Sequence, residues 1–229
     1  MHRTCKNCQT SLPTDANYCT KCGQSTKSTR QPFALFVKEA LKELLDIDGR
    51  LSLTLKTLVT KPGLASYEYD QGMRAKYTPP LRLYLVISVI FFLLFSSFQQ
   101  IFTGHTELSA SSIDLYSRIM FVLFPMFALY IKVIYPGSYL VSNIVFSLHL
   151  HSVGYLILIL IGPLEALERQ HLTYLALQIP VLIYLLWYLL QAFKTMYRAS
   201  WSVTAWKAAL IFVIYMATLG LAFDVILPG

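Results

Sequence analysis

From Leu81 onward the chain runs apolar in stretches of about 20 residues, the length at which a helix crosses a bilayer. Lipid offers no hydrogen bonds to the backbone, so such runs must be helices packed side by side. Composition supports this: 55% of the 229 residues are hydrophobic and only 14% charged, too apolar for a soluble domain of this size. Five spans are read at residues 81–102, 119–135, 140–161, 172–193 and 208–227. The second and fourth carry Pro125 and Pro180, which a bundle tolerates as kinks. The expected fold class is an all-α membrane protein. It comprises a five-helix transmembrane bundle, a small N-terminal four-cysteine zinc ribbon and amphipathic juxtamembrane helices. The expected divisions are 1–24 for the ribbon, 25–32 for a linker, 33–80 for the juxtamembrane helices and 81–229 for the bundle.

Charge orients the spans. Residues 1–82 hold 13 of the 19 Lys and Arg, and a basic flank ahead of a first span keeps that flank in the cytoplasm. The loops then expected inside carry Lys132, Lys194, Arg198 and Lys207 without acids. Those expected outside carry Glu107, Asp114, Glu165 and Glu168, offset by Arg118 and Arg169. The expectation is a bacterial inner-membrane protein with its N-terminus cytoplasmic and its C-terminus outside. Met1 is followed by polar residues rather than an apolar signal core, so the first span is expected to do the targeting. Lys61, Arg74, Lys76 and Arg82 lie just before the first span, where they can meet lipid headgroups. Membrane lipids account for the basic charge, and nothing in the pattern asks for nucleic acid.

All four cysteines fall within the first 22 residues, as Cys5-Lys-Asn-Cys8 and Cys19-Thr-Lys-Cys22. Two such pairs ten residues apart present four thiolates to one centre, the closed tetrahedral set that holds a structural zinc. Asn7 and Gly23 suit the tight backbone of the knuckles. Disulfides would need an oxidising compartment, and a redox Cys-x-x-Cys would need a βαβ context that is missing. A ribbon this short cannot bury a core, so metal binding supplies its folding free energy.

Residues 23–32 are polar and lack periodicity. Phe33 to Ile47 places Phe33, Phe36, Val37, Ala40, Leu41, Leu44 and Leu45 on one helical face and Lys38, Glu39, Lys42 and Glu43 on the other. Arg50 to Thr60 is read as a second short helix, although the alternation of Leu51, Leu53 and Leu55 also allows a strand. Both segments are expected to pack on the cytoplasmic end of the bundle or lie at the interface. Pro62-Gly63 can start a further short helix that Pro79-Pro80 would stop.

These residues together resemble an uncharacterised bacterial family. The features are the two cysteine pairs with Gly23-Gln24, Leu55-Lys56-Thr57-Leu58, Pro62-Gly63, Tyr69, Gly72-Met73-Arg74, Tyr77 and Pro79-Pro80 ahead of a first span. The resemblance extends through Tyr135-Pro136-Gly137-Ser138-Tyr139 and Ser147 to Ser152, to about residue 160. It implies a zinc ribbon before a multi-span membrane domain and supplies no activity. Where the family has a longer basic element, this chain has Gly72-Met73-Arg74. If Tyr69, Arg74 and Tyr77 form a site, it faces the cytoplasm.

The third span carries Ser142, Asn143, Ser147, His149, His151 and Ser152. Residues two apart on a helix are turned by about 200°, so His149 and His151 cannot chelate one ion together. Ser142 and His149 share one side, and Asn143, Ser147 and His151 the other. Polar groups on two sides place this span at the centre of the bundle. Gln178, Tyr174 and Asp224 are candidate partners. Glu165, Glu168 and His171 have a helical metal-ligand spacing but fall in a short outer loop.

Three functions compete. The first is a non-enzymatic membrane scaffold or adaptor whose cytoplasmic ribbon docks a protein partner; its topology is similar to that of the Yip family of membrane-trafficking proteins. The second is a small transporter or channel component with a polar midplane cavity around Asn143, Ser147, His149, His151 and Gln178. The third is a membrane enzyme acting on a lipid-linked substrate. Transport would call for a second copy, so homo-oligomerisation stays open. No P-loop, Gly-x-Ser-x-Gly or His-Glu-x-x-His motif is present. The adaptor reading is preferred.

Overall fold

The computed structural model describes residues 3–5, 7–23, 49–98, 110–168 and 175–226, which fall in two units, Met1–Leu45 and Asp46–Gly229. For residues 3, 110–117, 165–168, 175 and 223–226 it describes the backbone path alone. The expected linker and the amphipathic helix over Phe33–Ile47 lie outside the described residues, as do His171 and Tyr174.

In the first unit, two-residue strands β1 (Arg3–Thr4) and β2 (Ser11–Leu12) pair antiparallel, with Arg3 opposite Leu12 and Thr4 opposite Ser11. The buried cluster is Cys5, Leu12 and Cys19, with Cys8 and Ala16 against it. So little apolar surface cannot offset the conformational entropy of ordering the chain. The cysteines are themselves most of the core.

Among the described residues the second unit has seven helices: α1 (Arg50–Thr60), α2 (Leu64–Asp70), α3 (Pro80–Ser97), α4 (Ala110–Ile134), α5 (Leu140–Glu168), α6 (Leu175–Tyr197) and α7 (Trp201–Ile226). The leucine alternation in α1 does not make a strand. Thr54, Thr57 and Leu58 are buried, with Leu51 and Leu55 packed against the core. That set has helical spacing and one inward face. The threonines are accommodated because Thr54 Oγ1 donates to the Arg50 carbonyl at 2.6 Å and Thr60 Oγ1 to that of Lys56 at 2.7 Å.

Helices α1 and α2 form a hairpin set into the bundle. At its tip Gly63 has φ +78, a left-handed conformation. A Cβ there would lie 2.4 Å from the Ala192 carbonyl oxygen of α6, so two backbones meet where no side chain fits. Before the tip, Tyr184 of α6 donates to the Val59 carbonyl at 2.7 Å. On the way out, Ser66 meets His149, the Arg198 guanidinium lies 4.2 Å over the Tyr67 ring, and Ser142 donates to Asp70.

Helix α2 ends earlier than the prolines suggest. The Met73 amide donates to the Glu68 carbonyl at 3.0 Å and the Gly72 amide to that of Tyr69 at 3.1 Å, with Gly72 at φ +95. This is a Schellman stop built on glycine. Pro79 and Pro80 do not stop α2; they open α3, where a proline at the first helical position forfeits only an amide that has no partner inside the helix.

Among the described residues, four helices are long and apolar enough to cross a membrane: Pro80–Ser97, Leu140–Leu164, Ala176–Tyr197 and Trp201–Ala222. Large apolar side chains stand exposed on them, among them Leu93, Ile183, Leu186 and Val213, each more than 60% accessible. Exposure on this scale suits lipid and not water, and the protein is a multi-pass membrane protein. The stretch expected as the second span, 119–135, falls within α4 up to Ile134; α4 is a longer helix that is not among the four and that packs on α5 and α7. The last helix begins at Trp201 rather than Ala208, so Lys207 lies inside its second turn. Connections at 135–139 and 198–200 gather the ends of α4, α5, α6 and α7 on one side, where Lys207 Nζ donates to the Ile134 carbonyl at 3.0 Å.

Gly63→Ala should be among the most damaging single substitutions in the bundle. It combines a backbone clash with a left-handed φ, and we expect a loss of about 2–4 kcal/mol. Thermal unfolding of the purified protein in detergent checks this. Gly137→Ala, with nothing within 4 Å of the added methyl, should stay near wild type.

Candidate functional site

The first unit presents a four-thiol centre. One Sγ atom from each of Cys5, Cys8, Cys19 and Cys22 lies within 4.8 Å of the others. Cys5 and Cys22 are 3.6 Å apart, and Cys8 and Cys19 3.5 Å. A tetrahedral ion about 2.3 Å from each sulfur requires sulfur separations of about 3.8 Å, so the arrangement fits one metal ion. All four are free thiols.

The two knuckles share one backbone device. The amide of Gln9 donates to the Cys5 carbonyl at 2.9 Å, and that of Gly23 to the Cys19 carbonyl at 2.9 Å. Each of these residues follows the second cysteine of its pair and has positive φ, 58 for Gln9 and 71 for Gly23. Gln9, not Asn7, therefore carries the left-handed turn of the first knuckle. The Thr10 hydroxyl, 3.2 Å from Cys8 Sγ, and the Thr10 backbone hold the Cys8 thiol down to about 6. At Cys19 the Cys22 backbone pulls downward, but burial and the neighbouring thiols prevail and push it up to about 11. A bound cation favours the thiolate at both.

The second unit has a polar interior organised by α5, which packs against α1, α2, α3, α4 and α6. Its two histidines serve different neighbours, as their spacing requires. His149, 2% exposed, takes a 2.8 Å hydrogen bond at Nδ1 with the Ser66 hydroxyl of α2, while its buried Nε2 has no hydrogen-bond partner among the described residues. His151 Nδ1 lies 2.8 Å from the Ser147 carbonyl, which can only accept, so this nitrogen carries the proton. Nε2 then accepts from the Tyr215 hydroxyl of α7 at 3.0 Å. Ser147 donates to the Phe124 carbonyl of α4 at 2.6 Å. Asn143 donates to Ser138 at 2.8 Å and accepts from Tyr197 of α6 at 2.9 Å. The bonds to Ser66, Phe124, Tyr197 and Tyr215 each join α5 to another helix, and each is worth about 1 kcal/mol in a bundle.

A cavity of about 300 Å³ lies among α4, α5, α6 and α7, and its lining is almost entirely apolar. His151 and Tyr215 reach its wall; Asn143, His149 and Gln178 do not line it. The five residues expected around one midplane cavity are thus not brought together. The partners that the sequence reading missed, Ser66, Ser138, Tyr197 and Tyr215, lie on other elements. A tyrosine in a span and a small residue beside Ala65 were the available signals. The side chains of Glu165, Glu168 and Asp224 lie outside the described residues.

The four basic residues ahead of the first span have unequal circumstances. Lys61 and Arg74 are exposed, and the Arg74 guanidinium lies 5.5 Å over the Tyr69 ring. Arg82 is half-buried in the first turn of α3. Lys76 pairs with Glu68 at 2.5 Å, and the Tyr77 hydroxyl donates to the same carboxylate oxygen at 2.5 Å. Tyr77 is buried at 1% exposure, so Tyr69, Arg74 and Tyr77 do not present one common face. Burial pushes the Glu68 carboxyl up, but the hydrogen bonds from Lys76 and Tyr77 outweigh it and hold the group below its usual 4.5. Lys76 is raised above 10.5, first by its bond to Glu68.

Residues 48–92 match the model of a family described as Protein of unknown function (DUF3667). That stretch takes in the α1–α2 hairpin, the loop to Pro79 and most of α3; the resemblance read from sequence ran further, to about residue 160. No curated protein and no solved structure is similar to the chain.

Two expectations follow. Cys5→Ser or Cys22→Ser should reduce bound metal from one ion per chain toward zero by elemental analysis, and chelation should release the same ion from wild type. Glu68 stabilises the fold fully above about pH 4.5, and this contribution is lost as pH falls below that value; that of Lys76 is present below about 10.5 and lost as pH rises through it. Glu68→Gln should therefore flatten the fall in melting temperature between about pH 5 and about 3. Over residues 48–92 the chain is similar to a family of unknown function, with four clustered cysteines before the match and apolar helices within and beyond it.

Proposed function

We propose that the protein is a multi-pass membrane adaptor whose N-terminal module holds a structural zinc ion and docks a protein partner at the cytoplasmic face. The observation that carries this reading is the four-thiol set within 4.8 Å. A tetrahedral ion held by four sulfurs keeps no position for water or substrate, which suits a folding and recognition role. Zinc is the assignment because it accepts four thiolates in this geometry without redox chemistry. The polar side chains of α5 support an anchoring role for the bundle, since most are engaged in bonds between helices.

The orientation follows from charge. Lys132, Lys194, Arg198 and Lys207 gather where α4 to α7 meet at the connections 135–139 and 198–200, and the positive-inside rule puts that end in the cytoplasm. With α4 counted as a fifth span, the same reading has the C-terminus on the opposite side, and we propose a bacterial inner membrane as its location.

Crosslinking in native membranes followed by affinity purification tests the adaptor. Wild type should retain a cytoplasmic protein that Cys5→Ser/Cys8→Ser loses while membrane insertion is unchanged. Retention of the same set of proteins by both would refute the docking role.

A further inference from the structure

Among the described residues, a second pocket lies where the helix ends meet. It is a cleft of about 420 Å³ lined by Asp70 of α2, Tyr135 and Ser138 of the α4–α5 connection, Ser142 of α5, Tyr197 of α6 and Lys207 of α7, with a few neighbours. Unlike the cavity at His151, its wall is almost half polar.

What its groups still need defines a ligand. Ser138 is committed, since its hydroxyl donates to the Tyr135 carbonyl at 2.7 Å and accepts from Asn143. Tyr197 is committed too, donating to Asn143 at 2.9 Å. Three groups keep capacity. The Tyr135 hydroxyl is buried and has no hydrogen-bond partner among the described residues. The Lys207 ammonium, 4.3 Å over the Tyr135 ring, donates to one carbonyl and has further N–H groups to give. The Asp70 carboxylate accepts from Ser142, and at 3.5 Å from the Gln71 amide, and retains lone pairs. A buried hydroxyl left unsatisfied costs about 1–3 kcal/mol, and Tyr135 lines the cleft, so a bound group that reaches this hydroxyl would recover that cost.

The first two groups donate and the third accepts. An occupant satisfying all of them carries an anion at one end and a hydrogen-bonding cation at the other. The cleft lies at the end of the bundle, beside helix termini and lysines, at the level of lipid headgroups. We propose that it binds the phosphoethanolamine headgroup of a membrane lipid, with the phosphate received by Lys207 and Tyr135 and the ammonium by Asp70. Phosphocholine carries no N–H for Asp70, and phosphoglycerol carries no cation, so both are discriminated against. The site is separate from the four thiols and does not depend on the docking role.

The test uses the full chain in nanodiscs containing equal parts of phosphatidylethanolamine, phosphatidylcholine and phosphatidylglycerol. Lipids retained on release are counted by native mass spectrometry. Wild type should keep phosphatidylethanolamine in preference to either competitor by about 10-fold, the scale of one or two charge-assisted hydrogen bonds. Asp70→Asn should erase the preference over phosphatidylglycerol. Tyr135→Phe, which removes one oxygen and keeps the ring, should weaken retention with melting temperature within a few degrees of wild type. Lys207→Gln should weaken retention of all three lipids.

A parallel arm measures protection against thermal unfolding by soluble glycerophosphoethanolamine. Protection that Asp70→Asn and Tyr135→Phe abolish, with no lipid preference, would assign the same chemistry to a free ligand and overturn the lipid source. Equal retention of the three lipids with no protection by the soluble compound would overturn the site itself. So would wild-type selectivity in both Asp70→Asn and Tyr135→Phe.

Discussion

A polar side chain inside a bilayer must find its partner within the protein, and the arrangement around α5 follows from that. Asn143, Ser147, His149 and His151 lie within three turns of one helix, facing different ways. Water cannot satisfy them there, so each requires a neighbouring element at hydrogen-bond distance. Phe124 of α4, Ser66 of α2, Tyr197 of α6 and Tyr215 of α7 meet that requirement. Apolar contacts between helices in lipid are weakly selective, because the lipid tails compete for them. The directional bonds from α5 are what tell each neighbour where to lie.

The α1–α2 hairpin extends the same logic to a segment that does not cross the membrane. Its tip is a glycine against the backbone of α6, and Ser66 closes the bond to His149. Close backbone approach and a buried polar bond are the two devices that hold helices together where hydrophobicity cannot. The hairpin is seated on the bundle by one buried face, with Thr54, Thr57, Leu58, Ala65 and Ser66 turned inward. It also lies within the stretch that matches the family of unknown function.

The sequence makes some of this legible and hides the rest, for physical reasons. Apolar runs reveal helices because a bilayer enforces their length, and Cys5, Cys8, Cys19 and Cys22 reveal a shared centre because metal geometry enforces their spacing. The two-residue offset of His149 and His151 fixes that they face apart, since the helix period is invariant. Their partners are tertiary facts. Ser66 and Tyr215 carry only weak local signals, a small residue beside Ala65 and a tyrosine in a span, and neither names its partner. The leucine alternation of α1 reads two ways until the burial of Thr54, Thr57 and Leu58 decides it. The end of α2 was misplaced because a double proline is a louder signal than Gly72, although the glycine, through its left-handed conformation, does the stopping.

The way the hairpin is seated also sets how it bears mechanical load. Chain entering at Gly49 runs along α1, turns at Gly63 and leaves along α2. Along that path, contacts at Val59, Gly63, Ser66, Tyr67 and Asp70 each grip a bundle helix or its end. Tension applied at Gly49 therefore reaches these attachments in chain order, at Val59 and Gly63 before Ser66, Tyr67 and Asp70, and is passed to α6 before α5.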